Sequence, residues 1–360
     1  MPATKLNSPI TFPSGKTLNN RFMLAPMTNT QSEENGQLSE DEYRWLVMRA
    51  KGGFGLVCTC ASHVDPLGKG FPGQLGIFND EQIEGHQRLS AGIQAEGSIA
   101  MIQLHHAGMR SPEKLIGEKP VCPSDNEETG ARALRLDEVH ALRDRFIEAA
   151  VRAEKSGYDG VQIHGAHGYI LCQFLSTEHN HRTDRYGGSL ENRARIIKEI
   201  IAGIRKQCKS GFILSLRLSP ERMGMKLAEI KQLCMEFEKE KTLDFLDISL
   251  WDCSKMPEEE VHQDKTLLAH FTELGLEHTL LTVAGKISTT KDVKKILSQG
   301  VDFVGIGKSA ILHHDFPLLV MNHTDFQTIE TPVKRSHLIQ EGLGEKFLIY
   351  MSRWPNFVKV

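Results

Sequence analysis

One unit recurs along this chain: a short apolar run, a loop, and then an amphipathic helical pattern. The helical patterns, such as the one at 137–156, carry apolar residues three and four positions apart. Strands that alternate with helices pair in parallel through right-handed crossovers, so eight such units predict a (β/α)₈ TIM barrel. The eight apolar runs are 22–25, 55–60, 99–104, 160–164, 212–218, 245–250, 280–284 and 303–306.

The alternative architecture is an open, doubly wound α/β sheet. Such a sheet usually has fewer strands and a glycine-rich dinucleotide loop after its first strand, whereas here Pro26, Met27 and Thr28 follow the first apolar run. A Pro-Ser-Gly turn at 13–15 predicts a short N-terminal β-hairpin before the barrel. We expect a single domain over 1–360, with the barrel at about 20–320 and a C-terminal tail at about 323–360, because no Pro-, Gly- or Ser-rich linker marks a boundary.

Composition excludes several classes of protein. The chain has 360 residues, is 40% hydrophobic and 25% charged, and carries a net charge of −3, so it offers no electrostatic basis for binding nucleic acid. No stretch approaches the ~18 apolar residues of a membrane span. The seven cysteines are scattered and contain no Cys-x-x-Cys pair, which favours reduced thiols in the cytosol. We therefore expect a cytoplasmic protein without a membrane segment or a metal.

Residues that directly follow the predicted strands should line one mouth of the barrel, where TIM barrels place their active sites. Glycines and a lysine after the last two strands suit a phosphate. Gln103 and Arg217 suit a flat heterocycle with acceptors on its edge. A cluster of two histidines and a tyrosine after the fourth strand could hold and protonate a carbonyl compound. The positions singled out are Ala25, Pro26, Met27, Thr28, Ala61, Gln103, His164, His167, Tyr169, Arg217, Gly285, Gly307 and Lys308.

Several of these positions have plainer interpretations. The G-x-G-x-x-A pattern at 305–310 also matches a dinucleotide loop, but no second βαβ unit follows it. His164 and His167 could bind zinc, although no third ligand is near and the segment is not helical. Tyr169 could be a structural tyrosine, and Arg217 could close an ion pair inside the barrel.

Longer motifs reveal a resemblance to a known family. The chain reads His-Gly-Ala-His-Gly-Tyr at 164–169 and Asn-x-Arg-x-Asp-x-Tyr-Gly-Gly-Ser-x-Glu-Asn-Arg at 180–193. It also has Leu-Asn-Asn-Arg at 18–21 before Ala-Pro-Met-Thr at 25–28, and Gln-Leu-His-His-Ala-Gly at 103–108. Over 6–311 it resembles the old yellow enzyme family of flavin-dependent ene-reductases, specifically the bacterial NAD(P)H:flavin oxidoreductases.

The resemblance implies FMN held non-covalently at the carboxyl-terminal mouth, with NADH or NADPH as co-substrate in a ping-pong reaction. Thr28 would bond near flavin O4, where some relatives have cysteine, and Arg217 would lie near N1 and C2=O. Lys308 would hold the phosphate at a position where many relatives have arginine. Lysine keeps the charge but lacks the two-pronged hydrogen-bond geometry of arginine. The remaining implied contacts are Ala25, Pro26 and Met27 along the ring, Ala61 and Gln103 at its pyrimidine side, and Gly285 and Gly307 at the phosphate.

The resemblance also implies the chemistry. His164 and His167 would bind the oxygen of an activated alkene such as an enone, enal or maleimide. Hydride would pass from flavin N5 to the β-carbon, and Tyr169 would protonate the α-carbon. Alternatives are dienoyl thioester reduction, amine dehydrogenation, or flavin binding without ene-reductase activity. The family suggests a homo-oligomer, in which Arg353 could reach a neighbouring subunit's site or lie on a frayed tail.

Overall fold

A computed structural model describes residues 6–359 of the chain. Its centre is a closed barrel in which each strand pairs in parallel with the next along the chain, and the last strand pairs with the first. This confirms the predicted (β/α)₈ barrel. The strands are β1 (Phe22–Leu24), β2 (Leu56–His63), β3 (Ile99–His105), β4 (Gly160–Gly165), β5 (Ile213–Leu218), β6 (Phe245–Ser249), β7 (Leu280–Ala284) and β8 (Phe303–Ile306).

Helices connect successive strands, as the amphipathic patterns predict. The pattern at 264–275 forms a shorter helix than expected, because the Thr266 side chain accepts a hydrogen bond from Ala269 N and so caps the helix at Leu267. The helices that connect the strands or follow the barrel are α1 (Glu40–Lys51), α2 (Ile83–Ala95), α3 (Leu136–Lys155), α4 (Leu190–Gln207), α5 (Leu227–Glu240), α6 (Leu267–Thr272), α7 (Thr290–Ser298), α8 (Lys308–Leu312), α9 (Phe316–Asn322), α10 (Arg335–Gln340) and α11 (Glu345–Ser352). Two further short helices, Glu113–Ile116 and Ile170–Leu175, lie in the loops after β3 and β4.

Helix α4 shows how the local sequence produces this architecture. Ser189 caps its start by accepting a hydrogen bond from Asn192 N, and Arg205 and Lys206 lie in its last turn. Its isoleucines recur at three- and four-residue spacing and form one buried face, which joins the continuous core between the helices and the barrel. These buried isoleucines are Ile196, Ile197, Ile200, Ile201 and Ile204.

The predicted N-terminal hairpin is present and closes one end of the barrel. Its strands are Ile10–Thr11 and Thr17–Leu18. Phe12 at its turn packs against Phe245 and Phe303, with ring centroids 5.6 and 6.0 Å apart, among inward-facing residues at the amino-terminal ends of the strands. Burying one phenylalanine contributes roughly 1.5–3 kcal/mol. The carboxyl-terminal end of the barrel is therefore the end that can admit a ligand.

The C-terminal tail folds back over the loop between β1 and α1. Trp45 meets Phe347 edge-to-face at 5.4 Å between ring centroids, and Lys346 Nζ donates to Ser32 O at 3.1 Å. This docking brings Trp354 to the mouth of the barrel, while the neighbouring Arg353 is exposed. The reach of Arg353 into another subunit stays a prediction, as does the single-domain boundary. Within 6–359 no helix is long and apolar enough to cross a membrane.

Candidate active site

A cavity of about 800 Å³ opens at the carboxyl-terminal ends of the strands. It brings together nine of the thirteen residues singled out from the sequence, although they come from five different strand ends. The nine are Ala25, Pro26, Met27, His167, Tyr169, Arg217, Gly285, Gly307 and Lys308. The other four lie outside its lining: Thr28 faces an adjoining cavity, and Ala61, Gln103 and His164 are buried beside or beneath the mouth.

Three histidines form a hydrogen-bonded chain at this mouth. His105 Nδ1 lies 3.1 Å from His164 Nδ1, and His164 Nε2 lies 3.0 Å from His167 Nδ1. The chain ends at Ser249, whose Oγ lies 2.7 Å from His167 Nε2. A neutral imidazole can donate through one nitrogen and accept through the other, which is what a chain of this kind requires.

Burial keeps these histidines neutral. It lowers the pKa of His105 and His164 well below the ordinary value, and neighbouring histidines and Arg110 act in the same direction. The pKa of His167 falls to about 3 through burial and the nearby charges of Arg217 and Arg110. At neutral pH these histidines can therefore donate hydrogen bonds to a carbonyl oxygen without carrying a positive charge.

Tyr169 stands beside this chain. It precedes the short helix Ile170–Leu175, and its ring lies 4.3 Å from the His105 ring and 5.1 Å from the His164 ring between centroids. Burial raises the pKa of its hydroxyl, and the Arg110 cation opposes that rise. The phenol is protonated at neutral pH, as a general acid must be.

Arg217 agrees with both interpretations made from the sequence, because it faces an acid inside the barrel and also reaches the cavity. Its Nε lies 3.1 Å from Asp247 Oδ2 inside the barrel, and its Nη1 donates to Pro26 O at 3.5 Å on the cavity wall. Gln103 joins the same buried group, because its Nε2 donates to Gln162 Oε1 at 2.7 Å and Gln162 Nε2 donates to Asp247 at 3.2 Å. The guanidinium therefore reaches the cavity from an anchored position.

Gly307 and Lys308 follow β8 on the opposite side of the cavity. A Cβ added at Gly307 would meet only Met27 Sδ, at 3.7 Å, an ordinary van der Waals contact. Lys308 Nζ donates to Thr331 Oγ1 at 3.0 Å, and the lysine is exposed. Thr28 lines an adjoining apolar cavity of about 300 Å³ together with Trp354 and other residues of the C-terminal tail.

The specific motif at 180–193 lies outside the cavity lining and supports it from behind. Asn180 Nδ2 donates to Phe174 O at 2.6 Å and to Tyr186 O at 2.8 Å. Arg193 is buried and pairs with Glu229 at 2.7 Å. These contacts hold the short helix after Tyr169 and thus the position of that tyrosine.

Sequence reasoning missed three side chains at this site. It assigned no role to His105, which touches both His164 and Tyr169. It also passed over Ser249 at the end of β6 and did not develop Arg110, which both line the cavity. The rule that residues after strand ends line the mouth does place His105 and Arg110 there, but it assigns them no task. It passes over Ser249, which lies inside the predicted run at 245–250.

The groups that line the cavity suit the binding of a flavin mononucleotide. Arg217 presents a fixed positive charge at one side, and Lys308 presents another beside a glycine whose missing side chain leaves room. Ala25, Pro26 and Met27 also line the cavity. A planar ring system with a phosphate-bearing chain matches this distribution of apolar wall and separated cations.

Comparisons with known proteins agree with this geometry. A model of the NADH:flavin oxidoreductase / NADH oxidase family matches residues 5–325. The probable NADH-dependent flavin oxidoreductase YqiG of Bacillus subtilis is 36% identical, over 91% of this chain and 91% of its own. An NADPH dehydrogenase of Bacillus pumilus is 36% identical over 68% of this chain and 73% of its own.

The fold also matches a solved structure. The old yellow enzyme homologue from Zymomonas mobilis superposes with a TM-score of 0.79 and 25% identity, over 96% of this chain and 99% of that one. The match therefore includes the barrel and most of the tail. From the family model, the relatives and this fold together, the chain belongs to the NADH:flavin oxidoreductase / NADH oxidase family and is an old yellow enzyme-like oxidoreductase that uses FMN with NADH or NADPH as co-substrate.

Proposed function

We propose that this enzyme reduces the C=C bond of an activated alkene, such as an enone, enal or maleimide, at the expense of NADH or NADPH. One observation carries the proposal: two neutral histidines, His164 and His167, lie 3.0 Å apart beside Tyr169, whose hydroxyl is protonated. Hydrogen-bond donors and a proton donor are the two functions that reduction of a conjugated C=C bond requires from the protein.

The chain's own residues have separate tasks in this reaction. The carbonyl oxygen of the substrate accepts hydrogen bonds from His164 and His167, replacing their contact with each other. Electron withdrawal through that oxygen makes the β-carbon electrophilic. Bound FMN supplies the redox chemistry, in which hydride is taken from reduced nicotinamide and delivered to the β-carbon. Tyr169 gives its proton to the α-carbon.

The cofactor contacts are part of the same proposal. Ala25, Pro26 and Met27 would hold the ring, and Arg217 would stabilise negative charge at its pyrimidine end. Thr28, Ala61 and Gln103 would support that end from outside the cavity lining. Gly285, Gly307 and Lys308 would hold the phosphate.

The test is a spectrum of the purified protein under anaerobic conditions, recorded before and after NADH or NADPH and then after 2-cyclohexenone. A flavin band that bleaches with the nucleotide and returns with the enone supports both half-reactions. Bleaching without recovery would retain the flavoenzyme and reject the enone reductase. A protein that neither holds nor takes up FMN would overturn the assignment of the cavity.

A further inference from the structure

Arg110 is an exposed cation that packs on the ring of the proposed proton donor. It ends the short 3₁₀ turn Gly108–Arg110 after β3. Its Nη1 donates to His167 O at 2.6 Å, and its guanidinium carbon lies 4.9 Å from the centre of the Tyr169 ring. Within 6–359 no carboxylate lies within ion-pair distance of Arg110, so its charge faces the cavity without a counterion.

Three other cations at or near the mouth are paired with carboxylates, whereas Lys308, which donates to Thr331 Oγ1, has no carboxylate partner among residues 6–359. Lys286 pairs with Asp252 at 2.9 Å, and Arg222 pairs with Glu258. Arg217 faces the buried Asp247. Among the described residues that line the cavity there are four lysines or arginines and no aspartate or glutamate. The mouth is therefore positive and attracts anions. Of its two cations without a carboxylate partner, Lys308 follows β8 and Arg110 packs on the Tyr169 ring.

The location of Arg110 indicates which anion it binds. A group that Arg110 touches lies within a few bonds of the atom that Tyr169 protonates, because the guanidinium packs on the Tyr169 ring. The nicotinamide ring carries only a neutral carboxamide at that distance, and its phosphates are separated from it by a ribose. A carboxylate on the alkene itself meets the guanidinium fork directly.

We propose that Arg110 binds a carboxylate carried by the alkene, so that the preferred substrates are activated alkenes with a separate carboxylate close to the C=C bond. This inference rests on the proposed ene-reductase function and names its substrate class. Half-esters of unsaturated dicarboxylic acids and 4-oxo-2-enoic acids have the required chemistry. Their second carbonyl group remains available to His164 and His167.

A matched pair of substrates tests this recognition. Monomethyl fumarate carries the carboxylate, whereas dimethyl fumarate is neutral and has the stronger intrinsic activation. The ratio of their kcat/KM values, measured by stopped-flow oxidation of the reduced enzyme, reports anion recognition separately from reactivity. We expect Arg110→Gln to lower the half-ester to diester ratio roughly tenfold or more, since hydrogen bonds to charged groups have that strength. Arg110→Lys should lie between the two, and Arg222→Gln should keep the wild-type ratio.

Three results would overturn the inference. An equal loss on both esters in Arg110→Gln would mean that the arginine only holds the 167–169 loop. An unchanged ratio would mean that it binds no substrate anion. A raised KM for NADH or NADPH in the reductive half-reaction, with the ester ratio intact, would assign Arg110 to a nucleotide phosphate.

Binding to the oxidised enzyme separates this inference from the proposed function. Calorimetric titration with monomethyl fumarate needs no reduction of the alkene. If the wild type reduces neither ester yet binds the half-ester roughly tenfold more tightly than Arg110→Gln does, the carboxylate site stands and ene reduction fails. If both proteins bind it equally, the carboxylate site itself is rejected.

Discussion

His105 Nδ1 lies 3.1 Å from His164 Nδ1, and the His105 ring meets the Tyr169 ring edge-on with 4.3 Å between centroids. One side chain from β3 thus supports both the hydrogen-bond donor and the proposed acid, which come from β4 and the loop after it. Burial lowers the pKa of His105 well below the ordinary value, so it provides this support as a neutral ring.

The first prediction concerns Tyr169→Phe. Removal of the hydroxyl should slow reoxidation of the reduced enzyme by 2-cyclohexenone about 10²-fold, because general acids contribute on that order. Flavin reduction by NADH or NADPH should keep its rate. Stopped-flow absorbance measures the two half-reactions separately, with Tyr43→Phe, a half-buried tyrosine of α1 that does not line the cavity, as the control. Equal slowing of both half-reactions would reject Tyr169 as the proton donor.

The second prediction concerns His105 as a positioning residue. His105→Phe keeps an aromatic ring against Tyr169 but removes the contact to His164, so kcat/KM for 2-cyclohexenone should fall about fivefold, mostly through KM. His105→Gln retains a polar group and should recover part of the loss. If His105→Phe slowed flavin reduction to the same extent, or released FMN, the role of His105 would be merely structural.

The third prediction concerns Asp247, the buried carboxylate 3.1 Å from Arg217. Asp247→Asn removes its negative charge, so the field of Arg217 at the flavin becomes more positive. The midpoint potential of bound FMN should rise by roughly 30 mV, which is about 1.4 kcal/mol for a two-electron couple. Asp302→Asn, a half-buried acid at the amino-terminal end of the barrel, is the control for loss of a carboxylate. A lowered or unchanged potential in Asp247→Asn would contradict this role.

The fourth prediction concerns Lys308. Lys308→Gln should weaken FMN binding roughly tenfold because it removes the charge, whereas Lys308→Arg should strengthen binding through a two-pronged contact with the phosphate. Flavin fluorescence during titration of the apoprotein gives both dissociation constants. Lys291→Gln on the exposed side of α7 serves as the control. If all three variants bind FMN as the wild type does, Lys308 is not a phosphate ligand.

The fifth prediction concerns stability and pH. Burial lowers the pKa of His63, His86 and His106 to about 4, below the value of about 6.5 in an unfolded chain. The unfolded state binds more protons between these values, so the free energy of unfolding should fall as pH drops from 6.5 towards 4. Each histidine contributes a slope of roughly 1.4 kcal/mol per pH unit in that window.

Urea unfolding between pH 6.5 and 5 measures this slope. His86 is the best single test because it lies away from the cavity, bonded to Tyr158 and to Gly76 O. His86→Gln should reduce the slope by about one proton, while His181→Gln on the surface should not change it. A slope that is the same in wild type and His86→Gln would contradict the assigned cause.

The sequence by itself determined the barrel and most of the residues at its mouth. Apolar runs and helical spacing are local patterns, and their eightfold alternation leaves few parallel topologies. Once strands are assigned, the residues after them must meet at one end, which is why Arg217 lines the same cavity as Gly307 and Lys308 although it is far from them in the chain.

Only the tertiary structure decided which of these residues touch. The pairing of Leu104 with Ile163 between β3 and β4 sets His105 beside His164, and the pairing of His164 with Arg217 brings in β5. Buried strands that are apolar on both faces carry little local information about register, and a shift of one residue would reverse which side chains face each other. For the same reason, packing alone decided that Arg110 lies over Tyr169 and that the tail brings Trp354 to the mouth.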